Sequence, residues 1–381
     1  MRDRLGSHSP EPATTPLPAV RASAPAAARV SWVDAAKGMS ILLVVVHHIV
    51  LFLVPYDLVP QPVWAADVAI TSLRMPLFFL ASGLFLAKPL AGSWRTILHK
   101  RVALFAYLYV LWTLLLYGWF QLVPGAEVLT PMTTTPGELV SRLVVPGSSS
   151  WFLYALALFS VLAKLVRRVP TGVQLAVSGA ISVCASSGLV DFGGETWTLI
   201  ARCLFFFLLG CYARPLVEGL AARARWWTVA LAGLGCMVVA SADVLGLRWI
   251  PGVAFGFNVA AVTLGVLLAA LLARYRLARP LVALGQHTLP VYLLNVFLVS
   301  LAVLALRGVH LPAAAQYAAP VVLAVLVTGT ALLLHRLLNA AGARVLFGLP
   351  ARLAYRPVPD HSHALRPSPF PRPAAPGAAT P

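Results

Sequence analysis

The chain has 381 residues, of which 60% are hydrophobic and only 11% are charged, and its mean hydropathy is +0.84. Soluble globular domains carry about 25% charged residues, so the composition excludes a water-soluble globular protein and predicts one polytopic membrane domain. The formal net charge of +17 would suggest nucleic-acid binding in a soluble protein. Here the cations flank apolar segments, so they report membrane topology and we expect no nucleic-acid partner.

Apolar segments of the length that a helix needs to cross about 30 Å of hydrocarbon follow one another along the chain. They predict an all-α fold of about ten transmembrane helices, at roughly 38–54, 65–87, 102–122, 151–168, 172–190, 197–213, 226–245, 252–273, 281–306 and 315–339. If the N-terminus is cytoplasmic, 24 of the 29 Lys and Arg residues fall in cytoplasmic segments and three in outside loops. The positive-inside rule therefore predicts that both termini are cytoplasmic.

The two ends of the chain differ in composition from its middle. Residues 1–30 are rich in Ala, Pro and Ser and contain no apolar core of a secretory signal, so they predict a disordered cytoplasmic tail. Residues 346–381 have a similar composition and give the same prediction, which leaves 31–345 as the membrane domain. The four cysteines show no CxxC spacing and predict free thiols, with no metal site.

The first apolar segment carries ionisable residues that such segments normally avoid, because a charge in hydrocarbon costs several kcal/mol. Lys37 and His48 lie eleven positions apart, which corresponds to about 16 Å along a helix. This spacing suggests a reactive site that extends from the membrane surface past the midplane of the bilayer. Purely structural roles are the alternatives: packing for His48, anchoring at the membrane surface for Lys37 and capping of the helix for Asp34. His47 points to another face of the helix and is predicted to be structural.

Further polar residues lie within the apolar segments at overlapping depths. Arg74, Arg202 and Asn295 are expected to share one polar cavity with His48, since an intramembrane arginine normally faces the bundle interior. Other interpretations stay open at this point. Arg74 could pair with Asp67, although seven residues is a long reach, and Arg202 could extend to the outer interface. Asn295 could simply bond a neighbouring helix.

The first segment resembles a pattern of the acyltransferase-3 superfamily of integral membrane O-acyltransferases. That pattern is an aspartate, a basic residue, a glycine, an apolar run, and a histidine after ten intervening residues. Asp34, Lys37, Gly38 and His48 occupy these places. Other stretches resemble the family in the same order over about 31–345, namely 74–83, 100–101, 151–153, 206–210 and 284–295.

The resemblance implies transfer of an acyl group, commonly acetyl from acetyl-CoA, to a hydroxyl of a saccharide or other small acceptor. Acyl-CoA would be a substrate, with no permanently bound cofactor. A hydroxyl is a poor nucleophile and needs a base, which suits a histidine. The implied site has three parts: a catalytic set of His48, Arg74 and Asp34, phosphate-binding residues Lys37, Lys100 and Arg101, and cavity residues Asn295, Arg202, Tyr292 and Trp151.

Three positions depart from the family pattern. Many members carry arginine at the place of Lys37, and histidine often stands at the places of Arg74 and Asn295. Asparagine exchanges no proton near neutral pH, so Asn295 is not expected to act as a base.

Two other functions remain open from the sequence. A proton-coupled small-solute transporter would use His48 and Arg74 as a relay. An inactive membrane scaffold of the same fold is suggested by Asn295. The alanine- and proline-rich ends favour a high-GC bacterium. We therefore expect a multi-pass protein of the bacterial inner membrane, with the lipid bilayer, acyl-CoA and a hydroxyl acceptor as its partners.

Overall fold

The computed structural model describes residues 31–123, 135–147, 149–350 and 352–353. The tail predicted at 1–30, and nearly all of the tail predicted at 346–381, lie outside the described residues. Within the described part of the chain every regular element is helical and there is no strand, which agrees with the predicted all-α fold.

Fifteen α-helices follow one another along the described residues. They are α1 Ser31–Leu53, α2 Gln61–Leu84, α3 Ala87–Ala91, α4 Trp94–Ile97, α5 Ala103–Leu122, α6 Pro136–Val144, α7 Trp151–Val166, α8 Thr171–Ser187, α9 Glu195–Tyr212, α10 Arg214–Ala222, α11 Trp226–Val244, α12 Val253–Leu272, α13 Arg279–Gln286, α14 Thr288–Leu306 and α15 Ala313–Ala340. Between α4 and α5 the chain forms a π-helical turn, Leu98–Val102.

The helices support a multi-pass membrane protein with fewer spans than the sequence suggested. Seven described segments are long and apolar enough to cross a membrane, and eight if α10 and α11, which meet at 115°, count as one broken span. α7 and α8 have only 16 and 17 residues, less than the roughly 20 that a straight span needs. The predicted number of about ten is therefore not confirmed, because two of the predicted segments form helices that are too short for a straight span.

The first helix lies at the centre of the bundle. α1 packs against α2, α12, α13, α14 and α15, and its buried side chains extend from Val33 to Leu53. An apolar helix buried on most of its faces is a core helix. The residues of α1 that carry the predicted chemistry are thus surrounded by protein along the length of the helix.

Glycine residues bring two pairs of helices, α1 with α13 and α2 with α9, into backbone contact. A Cβ on Gly38 would overlap the carbonyl oxygen of Leu281, and one on Gly285 would overlap that of Asp34, so α1 and α13 touch along their main chains. Gly83 and Gly210 make the same kind of contact between α2 and α9. Small residues allow such close helix packing within membranes.

The described C-terminal residues return to the bundle after α15. Tyr107 donates its hydroxyl hydrogen to the Val345 carbonyl at 3.1 Å, and the Trp112 indole nitrogen donates to that of Leu346 at 2.8 Å. Phe347 packs on Trp112 and on His335, with ring centroids 6.0 and 4.6 Å apart. The turn Arg344–Leu346 therefore packs on the membrane domain.

We expect Gly285→Ala to destabilise the protein by about 1–3 kcal/mol or more, the usual cost of overpacking, because both colliding groups are backbone and no side chain can turn away. Gly329→Ala is the matched control, since no atom lies within 4 Å of its Cβ position. Alanine there should be neutral or stabilise α15 by up to about 1 kcal/mol. Thermal unfolding with a thiol-reactive dye measures both variants, because Cys203 and Cys211 are free and buried. Equal melting temperatures would contradict the predicted close contact.

Candidate functional site

A buried carboxylate joins the first two helices. Asp67 accepts a hydrogen bond from Arg74 Nη1 on Oδ1 at 2.9 Å, and its Oδ2 lies 2.7 Å from His47 Nδ1. Arg74 Nη1 also donates to the Asp67 carbonyl at 3.3 Å. Asp67 and Arg74 are only 4% and 5% exposed, so each needs its partner to offset desolvation. We call these three residues the Asp67 bridge.

The Asp67 bridge contains the pairing of Arg74 with Asp67, which the sequence left open as a long reach over seven residues. Helical side chains lean toward the N-terminus of their own helix, and the arginine side chain is long. Arg74 therefore reaches back two turns to Asp67. In the sequence, this pairing was indicated by an acidic residue seven positions before an arginine within an apolar segment. His47, predicted to be structural, is the other partner of that carboxylate.

His48 and Asn295 lie next to the Asp67 bridge. The Asn295 carboxamide lies beside the His48 imidazole, whose interactions also reach His47, Arg74 and Asp67. Asn295 is fully buried and donates through Nδ2 to the carbonyl of Tyr292. His48 Nδ1 and Asn295 Oδ1 are both buried, and neither has a partner outside this pair among the described residues. An imidazole nitrogen can accept a hydrogen bond, so His48 is suited to receive the hydrogen of a ligand hydroxyl.

A cavity of about 260 Å³ lies at the Lys37 end of α1, enclosed by α1, α2, α5, α7 and α14. Its polar lining comes from Lys37, Ser82, Arg101, Thr288 and Tyr292, and its other lining residues are apolar. Two cations at one end of an apolar cavity can hold phosphate groups while a less polar chain extends inward. We call this space the Lys37 cavity.

The two cations of the Lys37 cavity are positioned by neighbouring groups. Asp34 Oδ1 lies 3.6 Å from Lys37 Nζ, and Asp34 Oδ2 accepts a hydrogen bond from Gln286 at 3.3 Å. Lys37 also lies over the Phe85 ring, 5.0 Å from its centroid. Arg101 donates to the Phe85 carbonyl at 3.1 Å. Both cations are therefore fixed around the end of α2.

Lys100 and Arg101 were predicted to act together, but they differ in position. Both lie on the π-helical turn Leu98–Val102, a geometry that is frequent at functional sites. Arg101 lines the Lys37 cavity, whereas Lys100 is exposed and does not line it. The structure thus brings Arg101 to Lys37 and leaves Lys100 on the surface.

Three aromatic side chains that line the Lys37 cavity contact one another. The Phe152 ring meets those of Phe78 and Tyr292 edge to face, with centroids 4.7 and 5.4 Å apart. The Tyr292 hydroxyl donates to the Ser149 carbonyl at 2.6 Å and accepts from the Phe152 N–H at 3.3 Å. Trp151 packs beside this group against Phe79, at 5.9 Å between centroids. We call Phe78, Phe152 and Tyr292 the aromatic cluster.

Two of the predicted site residues lie apart from His48. Asp34 precedes His48 by fourteen residues on one continuous helix, which is about 21 Å along its axis, so it cannot contact the imidazole. Arg202 lines a small pocket with Ser72, Ser186 and Asn258. The His48 imidazole interacts with Asn295 and the Asp67 bridge.

Sequence reasoning missed Lys164. It was counted with the cytoplasmic flanking cations, yet its side chain is buried and donates to the carbonyls of Leu90, at 2.6 Å, and Gly92. A cation at the C-terminal end of a helix offsets its unbonded carbonyls, and here Lys164 caps α3. In the sequence, the burial of Lys164 was indicated only by its position in the last turn of an otherwise apolar helix.

Comparison with known proteins gives one result. The model of the acyltransferase-3 family, described as an acyltransferase domain, matches residues 30–335. No curated protein and no solved structure matches the chain. The match covers most of the chain and includes α1, α2, the π-helical turn and α14, which carry the candidate site. The chain therefore belongs to the acyltransferase-3 family of multi-pass membrane acyltransferases.

Proposed function

We propose that this protein transfers an acyl group, acetyl in the simplest case, from a coenzyme A thioester to a hydroxyl of a saccharide or other small acceptor. The supporting observation is the placement of two sites on one helix. Lys37 lines a cavity with Arg101, and eleven residues further along α1 His48 lies beside Asn295. The separation of about 16 Å is of the order of the pantetheine arm of coenzyme A.

In this proposal Lys37 and Arg101 hold the phosphates of the donor, and the pantetheine arm occupies the Lys37 cavity. Asp34 acts as a positioning residue for Lys37, since the two side chains are 3.6 Å apart. This replaces the catalytic role expected for Asp34 from the sequence. Lys100 contributes at most a surface charge, because it is exposed.

The acceptor hydroxyl binds at His48 and donates its hydrogen bond to the imidazole. Asn295 orients the imidazole beside it, and His48 removes the proton of the hydroxyl. The acceptor oxygen then forms a bond to the thioester carbonyl carbon, and the carbonyl oxygen takes the negative charge. Collapse of this intermediate breaks the carbon–sulfur bond, and the departing sulfur takes the proton from His48.

Arg74 is placed to stabilise the oxyanion. Both of its bonds to Asp67 use Nη1, and a guanidinium has five N–H donors. Nη2 and Nε are therefore suited to the developing charge, while the Asp67 bridge fixes the plane of the guanidinium. Preorganised donors of this kind commonly supply the largest single contribution to acyl-transfer catalysis.

We further propose ten spans in a bacterial inner membrane, with both termini cytoplasmic, supported by the distribution of Lys and Arg. Reporter fusions after residues 55, 95, 145 and 220 should report outside, inside, outside and inside. A cytoplasmic signal at 145 would contradict this topology.

We expect His48→Ala to lower turnover by about 100-fold or more, as removal of a general base does. The assay follows isotope-labelled acetyl groups from acetyl-CoA into products of a cell-envelope and metabolite extract, by mass spectrometry. His47→Ala is the matched control and should retain most of the turnover, because His47 Nδ1 is engaged with Asp67. Near-normal turnover of folded His48→Ala would refute the mechanism. Absence of any labelled product with the wild type would favour a transporter or an inactive scaffold.

We expect Lys37→Ala and Arg101→Ala each to weaken coenzyme A binding by about tenfold or more, since hydrogen bonds to charged groups contribute about 1.5–3 kcal/mol. Lys100→Ala is the matched cation control and should change the affinity less, because Lys100 is exposed and does not line the Lys37 cavity. Equilibrium binding of radiolabelled coenzyme A to the purified protein measures all three. A larger loss in Lys100→Ala than in the other two would place the donor outside this cavity.

A further inference from the structure

We propose that a groove between α9, α10 and α12 binds one anionic phospholipid, with an acyl chain of the lipid in the groove and its phosphate on Arg223. Among the described residues the groove shares no lining residue with the Lys37 cavity. The inference therefore goes beyond the proposed function and does not depend on it.

The groove is a cavity of about 500 Å³ that we call the α10 groove. Its volume falls within the range of about 300–1,000 Å³ that is usual for small-molecule sites. Its walls are apolar apart from Thr263 and Arg223, and Arg223 carries the only charge. This lining suits a hydrocarbon chain that ends in a negatively charged group.

The α10 groove is elongated along the axis of α12. That helix lines it with Val259, Val262, Thr263 and Val266, which form one helix face over about 10 Å. Val266 is fully buried, whereas Val259 is 37% exposed and Leu216 on α10 is 67% exposed. The groove thus opens on the surface of the bundle and reaches into it. On a membrane-spanning bundle such an opening faces the acyl chains of the bilayer.

Gly219 leaves space in the wall that α10 contributes. It lines the groove within this helix, and no atom lies within 4 Å of the position that its Cβ would take. Glycine within a helix destabilises it relative to alanine. No close contact between helices requires glycine here, in contrast to Gly285. A larger side chain at this position has room, and it would take up space in the groove.

Arg223 supplies a positive charge where α10 ends. It is exposed and has no ion pair among the described residues. Glu218 is the only acidic residue in 214–228, and its Oε1 is paired with Arg214 Nε at 2.8 Å. Basic pockets between transmembrane helices bind the head groups of anionic lipids. The charge of Arg223 therefore favours an anionic over a zwitterionic phospholipid.

Aromatic residues place Arg223 at the level of the lipid head groups. Trp226 and Trp227 begin α11 and are each 61% exposed, and the Trp226 indole nitrogen donates to the Tyr275 hydroxyl at 3.1 Å. Tryptophan and tyrosine are enriched where a membrane meets water. The Thr228 hydroxyl donates to the Arg223 carbonyl at 3.1 Å and so holds the turn that carries Arg223.

The test mixes the purified full chain, in a neutral detergent, with equal amounts of phosphatidylglycerol and phosphatidylcholine that have identical acyl chains. Native mass spectrometry counts the lipids that stay bound. We expect the wild type to retain one phosphatidylglycerol, with a preference of about fivefold over phosphatidylcholine, as one arginine near a bilayer surface supplies. Arg223→Gln should remove this preference. Equal retention of the two lipids by the wild type overturns the proposal.

Arg168→Gln is the matched charge control, because Arg168 is exposed and does not line the α10 groove. It removes the same charge and should keep the preference for phosphatidylglycerol. Loss of the preference in both variants would mean that the net charge of the protein selects the lipid, which also overturns the proposal.

Gly219→Phe tests the place of the acyl chain. Filling the groove should lower the retention of both lipids by about tenfold or more, since each buried methylene group contributes to the affinity. Gly219→Ala is the size control and should retain both lipids as the wild type does. If Gly219→Phe does not give a monodisperse folded protein, Gly219→Leu replaces it and should lower retention by a smaller factor. Unchanged retention in the folded variant overturns the assignment of the groove.

Discussion

The Asp67 carboxylate is the group on which the arrangement of the first two helices depends. A carboxylate that is 4% exposed within an apolar bundle is tolerated only when cationic or hydrogen-bonding partners surround it. Asp67 meets this requirement with Arg74 on its own helix and His47 on α1. The contact with His47 joins α2 to α1 next to the proposed base, His48. The buried charge of Arg74 stays paired with Asp67 within α2.

The glycine contact between α1 and α13 has a complementary effect at the other end of the helix. Because Gly285 lies against the Asp34 carbonyl, Gln286 comes within hydrogen-bond distance of the Asp34 side chain. Asp34 in turn lies next to Lys37. The Asp67 bridge and the glycine contact thus hold the two ends of α1, one near the proposed acyl-transfer centre and one near the proposed phosphate-binding cations. A rigid helix between them sets a fixed distance that a flexible loop could not maintain.

This arrangement gives physical meaning to the departures from the family pattern. Asn295 cannot exchange protons, but beside His48 it can orient the imidazole. Arg74 in place of histidine brings a permanent charge, which the chain balances with Asp67 seven residues earlier. Both substitutions are consistent with an active enzyme in which His48 alone handles the proton.

The sequence by itself determined the all-α membrane character, the family, and the pairing of Lys37 with His48 along one helix, because hydropathy and helical spacing are local properties of the chain. It did not determine which side chains meet between helices. The pairing of Arg74 with Asp67, the burial of Lys164 on the carbonyls of α3 and the separate position of Arg202 depend on helix rotation and neighbour choice. Lys100 and Arg101 are adjacent in sequence, yet only one faces the Lys37 cavity, since a π-helical turn sets their directions. These contacts depend on how many helices pack together at once, so only the tertiary structure decided them.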